Sequence, residues 1–97
     1  MAVYILLASF TDQGIRGVKD SPSRAETFKS MAAKCGVTVK EVYWTLGAYD
    51  IVAILESPDD ISITALGLST GKLGNVRTQT LRAFTAADMK TILGRMA

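Results

Sequence analysis

Histidine is absent from the 97 residues, cysteine occurs once and proline twice. Without histidine, the usual zinc and haem ligand sets cannot be assembled within one chain. The lone Cys35 has no partner for an internal disulfide. Neither a cofactor nor a metal is therefore expected, with a carboxylate site for magnesium the one arrangement left open. Charge is sparse too: the eleven basic and nine acidic side chains form no run and leave a net charge of +2. That pattern offers neither a polybasic tail nor a basic stripe for nucleic acid or an anionic membrane. Long apolar runs are missing as well. No window approaches the roughly 20 apolar residues that span a bilayer, and residues 1–10 lack the charged start and cleavage site of a signal peptide. These absences point to a soluble, cytoplasmic protein.

What is plentiful is apolar surface. Apolar residues make up 48 per cent of the chain and the mean hydropathy is +0.24. A domain of this length buries only about 60 to 68 per cent of the surface its unfolded chain exposes, so part of that apolar surface is expected to meet another copy. A homodimer or higher homo-oligomer follows. No repeat, linker or low-complexity stretch divides residues 1–97, which read as one domain.

Residues 3–10 are rich in strand formers and apolar on both alternation faces, so that strand should be covered on both sides. Residues 11–20, with Gly14 and Gly17, read as a loop. A helix can start at Ser21-Pro22, or at Ser23 with Glu26 three residues on. Ala25, Phe28, Ala32 and Cys35 then share one face, and Gly36 caps the end. Residues 38–46 and 49–56 read as strands joined through Gly47-Ala48. Ser57-Pro58-Asp59-Asp60 combines a capping serine, a proline and an acid, which predicts a helix over about 58–69, stopped by Gly71 and Gly74. Residues 76–84 make a fourth strand, and Thr85 with Asp88 caps a last helix ending near Arg95. The order β-α-β-β-α-β with an extra C-terminal helix is the ferredoxin-like, split β-α-β arrangement: an antiparallel sheet with two helices on one face. The other face needs cover. Side chains such as Ile51, Ala53 and Leu55 would be buried by two sheets meeting face to face, which predicts a sheet-to-sheet dimer.

The segment Leu46-Gly47-Ala48-Tyr49-Asp50-Ile51-Val52 lies between Val42-Tyr43-Trp44-Thr45 and Glu56-Ser57-Pro58-Asp59-Asp60. It resembles the signature of the GYD-domain family, with Ala48 between the glycine and the tyrosine. Phe10-Thr11-Asp12-Gln13-Gly14, Asp20-Ser21-Pro22 with Arg24, Gly74-Asn75-Val76-Arg77-Thr78 and Ala83-Phe84-Thr85 resemble the family's pattern in the same order. The resemblance covers nearly the whole chain and implies a dimeric α+β barrel. Relatives of that barrel include cofactor-free oxygenases, isomerases, haem enzymes and ligand sensors, so the fold alone selects no reaction.

Several residues could carry function, each against a structural alternative. Tyr43, Trp44 and Tyr49 could line an aromatic pocket, or pack in the core or an interface. Asp50 could serve as an acceptor or base at a cavity mouth, or as a turn residue bonding backbone amides. Tyr49 and Asp50 adjoin at a strand start, so their side chains should point to opposite faces. Arg77 could bind an anion, or pair with Glu41, Glu56 or Asp50. Gly14, Arg16 and Arg24 could hold an anion near a helix N-terminus, although neither a Walker nor a Rossmann spacing is present, and a surface loop capping the barrel is the alternative. Cys35 reads as packing, with no histidine to activate it. The leading functional expectation is a homo-oligomer that binds a small organic ligand in a barrel or loop-edge cavity. A cofactor-free oxygenase or isomerase using Asp50, an RNA binder and a purely structural oligomer are the alternatives.

Overall fold

The computed structural model describes residues 1–97. Strand β1 (Ala2–Phe10) leads into a short helix α1 (Asp12–Arg16), a 3-10 turn (Val18–Asp20) and helix α2 (Ser21–Lys34). The hairpin strands β2 (Thr38–Trp44) and β3 (Ile51–Ser57), helix α3 (Asp60–Gly71), strand β4 (Val76–Ala83) and helix α4 (Ala86–Gly94) follow. The sheet is antiparallel throughout, in the order β2-β3-β1-β4, so the two most apolar strands are central.

Alternation decides what each strand buries. Tyr4, Leu6 and Ala8 of β1 and Ala53, Leu55 and Ser57 of β3 turn toward the helices and are buried. Ala32 of α2 and Ile63 and Leu66 of α3 close over them. Each of the fully buried leucines, Leu55 and Leu66, contributes roughly 1.5 to 3 kcal/mol relative to exposure. The opposite sheet face carries Val3, Ile5 and Leu7 of β1 beside Val52 and Ile54 of β3, with Gln79 and Leu81 of β4. Nothing in the chain covers that face fully, and these β1 and β3 residues remain partly exposed.

Five expectations change. Most of residues 11–20 is helical rather than a loop: the Thr11 hydroxyl accepts the Gly14 amide and caps α1 (12–16), and the 3-10 turn (18–20) follows Gly17. Helix α2 begins at Ser21, so Ser21 lies inside the helix and neither it nor Ser23 is its cap. Helix α3 starts two residues later than Ser57-Pro58 suggests: Asp59 is the cap, its carboxylate accepting the Ser62 amide at 2.8 Å, while the Ser57 hydroxyl donates to the Asp59 carbonyl. Ile51, Ala53 and Leu55 face the helices instead of the open side. Register across β1 fixes their parity, and a shift of one residue would exchange the faces. The hairpin also has a wider connection, residues 45–50, closed by the Thr45 amide donating to the Asp50 carbonyl at 2.8 Å. By contrast, Thr85 and Asp88 form the full capping box of α4.

Helix α4 contains no buried residue. It extends the molecule to 50 × 30 × 18 Å with a radius of gyration of 14.5 Å. A compact chain of this length would have a radius of about 12.5 Å.

Candidate functional site

A cavity of about 350 Å³ lies between the sheet and α2. Its floor is made by helix-facing positions of three strands, among them Leu6 and Ala8, Ala53, and Val42 with Trp44. Its roof is a stripe of α2: Ser21, Arg24, Phe28 and Met31 recur at intervals of three and four, which puts them on one helical face. Most of the lining is apolar, and Arg24 is its single charged residue.

The rim is held by polar contacts. The Trp44 indole donates to the Ser21 hydroxyl at 2.7 Å, tying the end of β2 to the first turn of α2. Arg24 donates to the carbonyls of Gly14 at 3.1 Å and Gly17 at 2.8 Å, which fastens the segment between β1 and α2. It makes no ion pair: the two in the chain are Lys29 with Glu26 and Lys40 with Glu56. Gly14 packs so closely on the chain before β4 that a Cβ would stand 1.8 Å from the Asn75 carbonyl oxygen. Gln13 donates to Leu73 O and Asn75 Oδ1, binding α1 to the same junction.

The sequence candidates divide between two faces. Trp44 and Arg24 meet at the cavity. Tyr43 is on the open face opposite Val52, and Arg77 and Gln79 lie on that face opposite Ser9 and Leu7. Tyr49, in the hairpin connection, reaches β4, where its hydroxyl donates to Gln79 Oε1 at 2.9 Å. Asp50 also lies in the connection rather than in a strand. Its carboxylate accepts the Phe10 amide at 2.9 Å, while its own amide donates to the Ala8 carbonyl. This is the turn-residue arrangement, spanning from the hairpin to β1. Arg77 is exposed without a carboxylate partner; Glu56 pairs with Lys40 instead. In the 11–17 segment the Gly14 amide is taken by Thr11 and Arg24 by backbone carbonyls, while Arg16 closes the last turn of α1. Cys35 packs against the core. No three His, Cys, Asp or Glu side chains converge to hold a metal.

Ser21, Phe28, Met31 and Asn75 are cavity residues that sequence reasoning did not single out as a site. For Ser21, Phe28 and Met31 the stripe spacing on α2 is the signal that could have found them; Asn75, just before β4, carries no such signal.

A second polar cluster lies between α3 and β4. The Tyr4 hydroxyl donates to Asp60, and that hydrogen bond, with desolvation, raises the Tyr4 pKa above its ordinary value. The Arg82 guanidinium lies 5.5 Å from the Tyr4 ring centre and 4.6 Å from that of Phe84, within cation–π range.

An antiparallel sheet of this order with two helices on one face defines a ferredoxin-like α+β domain. The chain belongs to the GYD domain family, whose profile matches residues 4–93. It is 32% identical over 90 residues to a Thermus thermophilus protein described as a glutamine synthetase and cystathionine beta-lyase binding protein, covering 92% of this chain and 95% of that one. The crystal structure of TTHA0845 from Thermus thermophilus superposes with a TM-score of 0.58 at 26% identity, covering 89% of this chain and 96% of the other. No helix is long and apolar enough to cross a membrane.

Proposed function

We propose that residues 1–97 work as one homo-oligomeric binding domain that holds a small organic molecule between its sheet and α2. The cavity carries this reading. Protein interiors are close-packed, and an apolar void of about 350 Å³ is within the range of small-molecule sites. Two copies would cover each other's open sheet faces, leaving both cavities on the outer, helical sides.

The accessible surface supports pairing. It amounts to 6401 Å², whereas a compact monomer of this mass exposes about 5,400 Å². The unpacked α4 and the open sheet face both contribute to the excess, and each is surface that a second copy could cover. Native mass spectrometry of gently purified protein tests both parts. A dimer, or a multiple of dimers, carrying a mass that is lost on denaturation is the expected result. A monomer would sink the paired sheets, and an empty assembly that takes up nothing from a fragment library would sink the ligand.

Docking on another protein is a second reading, favoured by the relative described as binding glutamine synthetase and cystathionine beta-lyase. The exposed end of the hairpin, with Tyr43 and Leu46, would supply the contact. Immobilised protein should then retain glutamine synthetase or cystathionine β-lyase, and Leu46→Asp should release it. An oxygenase or isomerase with Asp50 as its base has less support, since that carboxylate is engaged by the Phe10 amide.

A further inference from the structure

We propose that the molecule taken by the cavity is a planar aromatic carboxylate, its ring against Trp44 and Phe28 and its carboxylate received by Arg24 and Ser21. The inference rests on the cavity being a ligand site and adds the chemical class.

Polarity runs in one direction along the cavity roof. Ser21, Ser23 and Arg24 occupy the start of α2, and Ala25, Phe28 and Met31 continue it, with Thr27 the one polar residue among them. A ligand with one polar end and an apolar body matches that gradient. The body lies between a sheet floor and a helix, where Phe10, Phe28 and Trp44 offer a flat ring aromatic partners that a branched chain would use less well.

The polar end has donors to offer. Arg24 spends hydrogen bonds on two backbone carbonyls and makes no ion pair, so further N–H groups and the full positive charge remain. Ser21 is 5% exposed and accepts the Trp44 indole N–H, which leaves its hydroxyl hydrogen free to donate. No acidic residue lines the cavity to repel an anion. A carboxylate satisfies these groups together, whereas an ammonium would find acceptors in the hydroxyls of the lining but would meet Arg24 as a like charge.

The test is calorimetric titration of the intact protein with 2-naphthoate, the neutral 2-naphthol and the cationic 2-naphthylmethylamine at pH 7. Hydrogen bonds to a charged acceptor are roughly twice as strong as neutral ones, so 2-naphthoate should bind at least about tenfold more tightly than 2-naphthol, with no detectable binding of the amine. The Met31 methyl resonance should shift with the first two. Arg24→Gln should bring 2-naphthoate within about twofold of 2-naphthol, and Ala25→Phe, which intrudes on the cavity from the helix, should abolish both. Arg24 also fastens the segment before α2, so the three-ligand comparison on the unaltered protein decides the matter if that variant fails to fold. Equal affinities for all three, with Met31 shifting, would overturn the anionic class while leaving the cavity as a ligand site. No heat and no Met31 shift with any of them would overturn both.

Discussion

Asp50 and Gly14 both join distant parts of the backbone, and neither needs a ligand to account for its residue type. The Asp50 carboxylate accepts the Phe10 amide, so removing the acceptor strands a part-buried donor. Asp50→Ala should lower unfolding stability by about 1.5 to 3 kcal/mol, the range for hydrogen bonds to charged groups, whereas Asp50→Asn, which keeps a carbonyl oxygen, should lose less than half of that. Urea denaturation of the two variants checks it; equal losses would mean that the charge rather than the acceptor matters. Gly14 is fixed by space. A methyl group there collides with backbone rather than with a movable side chain, so Gly14→Ala should cost at least the roughly 1 to 3 kcal/mol of an overpacked core. It should also perturb the amide resonances of Thr11 and Asn75, which are joined by a backbone hydrogen bond of 3.1 Å. A variant with unchanged melting and unchanged spectra would contradict the close packing.

At the level of elements, α4 separates local signals from packing. Its capping box is complete, yet the helix buries no side chain, so losing the cap should melt α4 without unfolding the sheet. Thr85→Ala should remove about 1 kcal/mol of local helix stability, seen as faster amide exchange over residues 86–94 with little change in the global melting point. Acid should act in the same way. The Thr85 amide, and then its hydroxyl, hold the Asp88 pKa below the ordinary carboxylate value. A depressed pKa contributes stability above the unfolded value of about 3.9 and loses it as pH falls through the folded one. Protection of α4 should therefore decline below about pH 4, and the α3 cap should follow, because the Ser62 amide and hydroxyl lower the Asp59 pKa likewise.

The same contrast explains what could be read from the sequence. The strand and helix order, and the Thr85–Asp88 box, depend on periodicity and short-range capping, which are local. The parity of Ile51, Ala53 and Leu55 depends on register against β1, and the assignment of Ser21 depends on Trp44, 23 residues away. Trp44 and Arg24 were each legible as candidates, but only the crossing of α2 over β2 brings them to one cavity.

The whole molecule has one small core and one uncovered face. Nine apolar residues are buried between sheet and helices, while Ile5 and Ile54 sit directly opposite each other in the central strands on the open side. If a second copy covers them, stability is coupled to protein concentration, because the dimer binds what the unfolded chain does not. The melting temperature of the unaltered chain should then rise as concentration increases. Ile54→Lys would put a charge at the centre of that contact without entering the helix-side core. The variant should sediment as a monomer and melt at a lower temperature that no longer depends on concentration. If it instead keeps the mass and the concentration dependence of the unaltered protein, the open face is not where copies meet, and the unpacked α4, with exposed Met89, Ile92 and Leu93, becomes the surface that holds the assembly together.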